Sequence, residues 1–136
     1  MQSPLSFVTA SVLVTVGGAA GSWLRFATGR LWHFAIGPIA ANEFPWATLS
    51  VNIVGSLLMG MLIGWLARHS AGGEAWRMLL GVGVLGGFTT FSSFALEFAL
   101  FVERGNLGLA ALYVGVSLLA GFGALFFGLA ATRAVA

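Results

Sequence analysis

Hydrophobic positions along this chain form four long, almost uncharged stretches, separated by short segments that hold most of the polar and charged residues. The first of them, from Leu5 to Leu24, contains no charge and as a helix would extend about 30 Å, the thickness of the hydrocarbon core of a bilayer. The pattern predicts four transmembrane helices in a single domain over residues 1–136. Their expected ranges are about 5–30, 46–68, 76–103 and 107–132.

Composition indicates that the solvent around this fold is lipid. Of the 136 residues, 59% are hydrophobic and only 7% are charged, and the mean hydropathy is +0.99. A soluble domain has about a quarter of its residues charged, so a water-soluble fold would expose far too much apolar surface. The net charge of +2 offers no basic surface for nucleic acid, and the absence of cysteine excludes disulfides, thiol nucleophiles and cysteine metal sites.

The first span also has to be distinguished from a secretory signal peptide. It lacks a preceding basic segment, and Arg25 and Arg30 follow it where a cleavage site would lie. We therefore expect it to be the first transmembrane helix of the protein.

Arginines are distributed evenly between the two sides of the predicted bundle. Both termini and the 68–77 connection share one side with Arg68, Arg77 and Arg133, whereas the other side has Arg25, Arg30 and Arg104. Membrane proteins are oriented by an asymmetry of Lys and Arg in short loops, which this chain lacks. The balance predicts dual topology and an antiparallel homodimer about a two-fold axis in the membrane plane. The alternative is a weakly biased protein that a neighbour or lipid orients.

The third span contains a sequence that is unfavourable for a continuous helix. Gly81, Gly83 and the Gly86-Gly87 pair precede a run rich in threonine and serine, and each interior glycine costs about 0.5–1 kcal/mol relative to alanine. Non-helical backbone inside a membrane is tolerated where it is buried in protein or lines a water-filled cavity, and it can bind ions near the midplane. We expect a break near Gly86-Gly87. A glycine-rich helix packed tightly against a partner is the alternative.

Two stripes of side chains lie on the segment after these glycines. The first is aromatic and has helical spacing: Phe88, Phe91, Phe94, Phe98 and Phe101. Thr90, Ser93 and Glu97 form the second stripe by the same spacing. A phenylalanine stripe in a membrane helix is usually a lipid contact or part of the core. An acidic residue within the membrane indicates a functional site, unless Glu97 lies close to the interface.

Polar residues inside the second and fourth spans are also one helical turn apart. Thr48, Asn52 and Ser56 share one face of the second span, and Tyr113 and Ser117 share one face of the fourth. The amide of Asn52 either joins two helices or faces a polar path. Small residues at fourfold spacing predict close helix packing, and they are Gly17 and Gly21, Ser56, Gly60 and Gly64, Ser117 and Gly121. The two histidines are expected in loops without a ligand role, and they are His33 and His69.

Three stretches of this sequence resemble the Fluc (CrcB) family of fluoride channels. The most specific is GGFTTFSSF from Gly86 to Phe94, with Glu97 at its end. The sequence VNIVG from Val51 to Gly55 resembles the second-helix motif, and GGAAG from Gly17 to Gly21, followed by Arg25, resembles the first-helix motif. The resemblance covers the whole chain in length, number of spans and order of motifs.

The resemblance implies a passive fluoride exporter of the cell inner membrane that is not an enzyme and forms a dual-topology dimer with two pores. It implies a fluoride pathway of Asn52, Phe91 and Phe94 with a polar track of Thr48, Ser92, Ser93, Glu97, Tyr113 and Ser117, and places Arg25 at a vestibule or as an anchor. A structural sodium ion would lie at the dimer centre on backbone carbonyls of Gly86 and Thr89. The chain departs from the family at Ser93, where threonine is usual, and at Gly121, where some relatives have a hydroxyl.

The residue types suit a small, strongly hydrated anion. A fluoride pore must replace water with neutral donors without trapping the ion, and no basic residue lies between Trp46 and Ala67 or between Met78 and Leu96. The main rival is a small multidrug-type proton-coupled secondary transporter. That class needs a carboxylate deep in the first span, and none of the first 42 residues is acidic. A structural assembly protein without a permeation path would have no use for Asn52 or for a broken helix.

Overall fold

Four apolar helical stretches make up most of the chain in the computed structural model, which describes residues 5–68 and 73–134. Each stretch is long and apolar enough to cross a membrane. They are Phe7–Ile36, Trp46–Leu66, Gly73–Glu103 and Leu107–Ala134. The prediction of an all-α protein with four membrane-spanning segments is confirmed.

The first helix, α1 (Phe7–Ile36), is longer than the sequence pattern indicated. It begins at Ser6, whose hydroxyl accepts a hydrogen bond from the first turn, and it ends at Gly37 with a φ of 81°. Its 30 residues extend about 45 Å, beyond the hydrocarbon core of about 30 Å. The helix continues past residue 30 because nothing breaks it before Gly37 and Pro38. His33, which was expected in a loop, therefore lies on this helix.

The remaining helices follow in a simple order. After the short α2 (Pro38–Glu43), α3 (Trp46–Leu66) forms the second span. The third span has four parts: α4 (Gly73–Trp76), a π-helical segment (Arg77–Leu85), α5 (Gly86–Phe88) and α6 (Phe91–Glu103). The fourth span is α7 (Leu107–Ala134). The wide winding of the π-helical segment ends where the N–H of Gly86 donates to the carbonyl of Gly81, five residues earlier.

The backbone of the third span leaves the helical conformation at two threonines. Thr89 has φ −79° and ψ 159°, and Thr90 has φ −151° and ψ 126°. The prediction placed the break near the preceding glycine pair, and Gly86 itself is helical with φ −64° and ψ −37°. Threonine is β-branched and accepts an extended backbone readily. Its hydroxyl also caps α6, because Thr90 Oγ1 accepts the N–H of Ser93 at 3.2 Å.

Glycines bring the backbones of neighbouring helices together at two seams. At the first seam, a Cβ on Gly17 or Gly21 of α1 would collide with backbone atoms of the third span. At the second, a Cβ on Gly60 of α3 would meet the backbone of α7, and one on Gly64 would meet Thr132. The predicted packing role of these four glycines is confirmed.

The fourth span returns after a tight turn. Gly105 has a φ of 73°, and the N–H of Asn106 donates to the carbonyl of Phe101 at 2.9 Å. The helix α7 contacts α6 next to this turn, but most of its length packs along α3. Its main neighbour is therefore the second span, because the glycine seam between α3 and α7 permits the closer approach.

Candidate functional site

The side chain of Asn52 is bound to the non-helical backbone of the third span. Its Nδ2 donates to the carbonyl of Thr90 at 3.0 Å, and its Oδ1 accepts the N–H of Thr90 at 2.8 Å. The amide therefore replaces hydrogen bonds that Thr90 gives up by leaving the helix. The interpretation of Asn52 as a link between helices is confirmed. The second N–H of Asn52 Nδ2 takes no part in these two hydrogen bonds.

A cavity of about 440 Å³ lies next to this pair, and we refer to it as the Asn52 cavity. It is open on one side and is lined by residues of α3, α5, α6 and α7 and by the extended threonines. Its polar lining groups come from Asn52, Ser56, Thr89, Thr90 and Ser117, and its phenylalanines are Phe91 and Phe94. The structure thus brings Ser56 and six of the predicted site residues to one cavity: Asn52, Gly86, Thr89, Phe91, Phe94 and Ser117.

The hydroxyl of Ser117 has an unusual status in this cavity. Its Oγ is buried and has no hydrogen-bond partner among the described residues. Buried hydroxyls are nearly always hydrogen-bonded, so an unpaired one indicates a ligand or a water. Ser117 therefore offers a free polar group to whatever occupies the Asn52 cavity.

Glu97 is held by hydroxyls from two other helices. Thr48 Oγ1 of α3 donates to Glu97 Oε1 at 2.7 Å, and the Tyr113 hydroxyl of α7 donates to Glu97 Oε2 at 2.6 Å. Thr48 is 8% exposed and Tyr113 is fully buried. The short distances are typical of hydrogen bonds to a charged acceptor. Three predicted track residues thus form one hydrogen-bonded group.

A second cavity of about 480 Å³ opens on the other side of Glu97, and we refer to it as the Glu97 cavity. Its lining includes Phe44, Phe101, Arg104 and the acidic Glu43. It lies at the end of the bundle where α6 turns into α7. Its lining brings Glu97 together with charged residues near the ends of the helices, Glu43 and Arg104.

Aromatic rings separate the two cavities. The ring centroid of Tyr113 is 5.1 Å from that of Phe94, which lines the Asn52 cavity, and 5.6 Å from that of Phe44, which lines the Glu97 cavity. The rings of Phe91 and Phe94 are 5.8 Å apart. The ring of Tyr113 thus contacts one lining residue of each cavity.

The predicted hydroxyl residues of α6 have different surroundings. Thr90 Oγ1 lies 3.3 Å from the hydroxyl oxygens of both Ser92 and Ser93. Ser93 is partly buried, whereas Ser92 is exposed on the surface of the single chain. Neither serine lines the Asn52 or the Glu97 cavity.

Arg25, the proposed vestibule or anchor residue, is partly buried on α1 and lines neither of these cavities. His33 also lies on α1 and not in a loop. Its Nδ1 is 2.8 Å from the carbonyl oxygen of Gly29 on the same helix. His69 lies outside the described residues. Within the described residues, no group of three or more His, Cys, Asp or Glu side chains could hold a metal.

Sequence reasoning missed three residues that the structure places at the cavities. Ser56 was assigned to a packing seam but lines the Asn52 cavity, and its spacing of one turn from Asn52 was the available signal. Phe44 and Arg104 line the Glu97 cavity. Both lie in segments that the sequence pattern assigns to connections between spans, where no helical spacing marks them.

The fold and the two cavities define a class of protein: a small multi-pass membrane protein whose apolar helices enclose hydrogen-bonding groups. Comparison with known proteins gives the family. Residues 12–129 match the profile of the family described as CrcB-like protein, Camphor Resistance (CrcB). The chain belongs to the CrcB family, as its motifs indicated.

Relatives match this chain over nearly its whole length. A protein of Novosphingobium aromaticivorans named fluoride-specific ion channel FluC is 58% identical over 129 residues, covering 95% of this chain and all of the relative. A protein of the same name from Erythrobacter litoralis is 49% identical, with 97% and 98% covered. One from Caulobacter vibrioides is 47% identical, with 91% and 95% covered. All three are named as channels and none as an enzyme.

Proposed function

We propose that this protein is a fluoride channel that lets fluoride leave the cell passively. The observation that carries the proposal is the line of neutral donors and ring edges from the Asn52 cavity, past Tyr113, to the Glu97 cavity. The names of the relatives, which cover almost all of this chain, support the same ion. They give no support to a proton-coupled multidrug transporter.

The chemistry of this line suits fluoride. Fluoride accepts hydrogen bonds strongly, and the groups facing the Asn52 cavity include the amide of Asn52 and the free hydroxyl of Ser117. Phenylalanine ring edges carry partial positive charge, and Phe91 and Phe94 present rings to the same cavity. Among the described residues, no arginine or lysine lines the Asn52 cavity. A fixed cation there would bind the ion too tightly for conduction.

Glu97 gives this path a specific requirement. The hydroxyls of Thr48 and Tyr113 both donate to its carboxyl oxygens, so neither proton is free for an anion at that level. A fluoride that reaches Tyr113 must take over one of these donors while Glu97 turns toward the Glu97 cavity. We propose that Thr48, Glu97 and Tyr113 exchange partners in this way during conduction, and that Ser92 and Ser93 line the adjoining part of the track.

A second copy of the chain completes the pathway in this proposal. The extended backbone at Thr89 and Thr90 lies near the middle of the third span, where it cannot face lipid. In the single chain Gly86 and Ser92 are exposed beside it, and Phe91 is 79% exposed. An antiparallel partner would cover this surface. The even distribution of arginines supports opposite insertion of the two copies.

The same surface suggests how a structural sodium ion would be held. Because the Thr90 N–H donates to Asn52, it is not directed at the carbonyl of Gly86, which is the usual acceptor four residues earlier in a helix. The extended conformation of Thr89 likewise removes its carbonyl from a helical ladder. Carbonyl oxygens are suitable ligands for a hard cation. We propose that Gly86 and Thr89 of both copies hold sodium at the dimer centre, where its charge would stabilise the assembly.

Fluoride efflux from liposomes that contain the purified protein tests the proposed function. We expect rapid release of fluoride down its gradient, with chloride retained in parallel vesicles as the control. Release that requires a proton gradient would support the transporter class. A sealed vesicle population with no fluoride release would reject the channel. Because the proposed location is the inner membrane, loss of the protein should make cells accumulate fluoride.

A further inference from the structure

Ser56 presents a free hydroxyl to the Asn52 cavity from α3. It lies one helical turn after Asn52 on the same face and is a lining residue of that cavity. Within residues 5–68 and 73–134, no hydrogen bond is found for its side chain, although a helical serine can donate to the carbonyl four residues earlier. The hydroxyl is therefore available to a ligand.

The surface of α7 opposite Ser56 has no side chain. Gly121 occupies that position, and a Cβ built on it would lie 3.8 Å from Ser56 Oγ, in ordinary van der Waals contact. One turn earlier on α7 is Ser117, the buried hydroxyl without a partner. The two helices thus each supply one unpaired hydroxyl to the same cavity, Ser56 from α3 and Ser117 from α7.

The other polar groups of this cavity are largely committed elsewhere. The amide of Asn52 is bound to the backbone of Thr90 through both its oxygen and its nitrogen. Thr89 Oγ1 donates to the carbonyl of Leu85 at 2.9 Å, and Thr90 Oγ1 contacts the serines of α6. An anion in the cavity would therefore find its free donors at Ser56, at Ser117 and at the second N–H of Asn52 Nδ2.

We propose that Ser56 is a hydrogen-bond donor to the small anion in the Asn52 cavity, acting from α3 across from Ser117. This inference rests on the proposed function and adds a residue that the sequence pattern assigned to packing. It also explains the lack of a side chain at position 121. The space beside Gly121 lies in front of the Ser56 hydroxyl, so that an ion or a water can reach that hydroxyl.

The first test is the Ser56→Ala variant, which removes one oxygen and keeps the fold. Loss of one donor should lower the fluoride release rate by about threefold to tenfold, with an unchanged elution profile in detergent. Ser22→Ala is the matched control, since Ser22 is an exposed serine on α1, and it should release fluoride like the unaltered protein. Wild-type release by Ser56→Ala would overturn the inference.

The second test moves the serine hydroxyl from α3 to the facing position on α7. In Ser56→Ala combined with Gly121→Ser, the new side chain starts at the position that faces Ser56 and can donate into the same space. We expect the double variant to recover much of the lost rate. Failure to recover, with the protein still monodisperse, would mean that Ser56 acts through packing and would overturn the inference. Both tests are distinct from the channel proposal, which fails only if the unaltered protein releases no fluoride.

Discussion

The amide of Asn52 and the backbone of Thr90 exchange two hydrogen bonds, Nδ2 to O at 3.0 Å and N to Oδ1 at 2.8 Å. One side chain of α3 thereby stabilises the point at which the third span stops being helical. In lipid an unpaired backbone group is costly, so this pair is a condition for the extended threonines to exist at that depth. It also places the carboxamide at the wall of the Asn52 cavity.

Substitution of Asn52 should reduce both conduction and stability. Asn52→Asp can still accept the Thr90 N–H but cannot donate to its carbonyl, and its negative charge opposes an anion on the path. We expect a drop in fluoride release of at least about tenfold and a loss of about 1–3 kcal/mol in unfolding free energy. Release assays and thermal unfolding of the same preparation measure the two effects separately. Normal release would limit Asn52 to its structural role.

The phenylalanines of α6 should differ in a way that packing alone does not explain. Phe91→Ile and Phe94→Ile keep an apolar side chain and should cost less than about 1.5 kcal/mol of stability, yet they remove aromatic rings that line the Asn52 cavity. We expect strongly reduced fluoride release from both. Phe98→Ile is the control, because Phe98 is on the same helix but lines neither cavity.

Equal and small effects at Phe91, Phe94 and Phe98 would mean that the stripe is packing. Phe101 cannot serve as a control, although the sequence pattern puts it on the same face. It is 5% exposed and belongs to the buried cluster around Tyr113, so Phe101→Ile should act mainly on stability.

Removing the Tyr113 hydroxyl tests the Glu97 group. In Tyr113→Phe, Glu97 Oε2 loses a donor that lies 2.6 Å away, and such a hydrogen bond contributes about 0.5–1.5 kcal/mol to stability. We expect a lower unfolding temperature and slower fluoride release. The ring contacts with Phe44 and Phe94 remain in this variant, so a change in release reports on the hydroxyl. Unaltered release and stability would contradict the proposed exchange of partners.

Opposite insertion of the two copies gives a separate prediction. A reporter fused to the C-terminus should be found on both sides of the membrane in similar amounts, because arginines do not favour either side. Two or three added lysines at the C-terminus should force one orientation and abolish function, and a copy biased the other way should restore it. A single orientation of the unaltered protein would exclude the antiparallel dimer.

Two neighbouring glycines of α1 give a matched pair for stability. A Cβ on Gly21 would collide with backbone atoms of Val84 and Phe88, whereas one on Gly18 has nothing within 4 Å. Gly21→Ala should therefore disrupt the seam and reduce the yield of folded protein. Gly18→Ala should be neutral or stabilising by up to about 1 kcal/mol, since alanine is the better helix former. Similar thermal unfolding of the two variants would contradict the seam.

Much of the membrane architecture could be predicted from local sequence. Runs of apolar residues predict spans because each apolar residue lowers the free energy of transfer of the helix into lipid. The predicted ranges of α3 and α7 are therefore within a few residues of the observed ones. Gly17, Gly21, Gly60 and Gly64 showed helical spacing, and the structure confirms them at backbone contacts. The end of α1 was harder to predict, because neither Gly29 nor Arg30 stops the helix, which continues to Ile36 before Gly37 and Pro38.

The site depended on pairings that no periodicity contains. Sequence placed Asn52 and Glu97 on helix faces, but Thr90, Thr48 and Tyr113 became their partners only when α3, α6 and α7 packed together. The non-helical residues are threonines and not the preceding glycines, because the amide of Asn52 is positioned to bind the backbone of Thr90. Hydrophobic pattern alone determined that this chain crosses a membrane. Tertiary structure decided which polar groups are satisfied and which, like Ser117, stay free, since a hydrogen bond depends on distance in space and not along the chain.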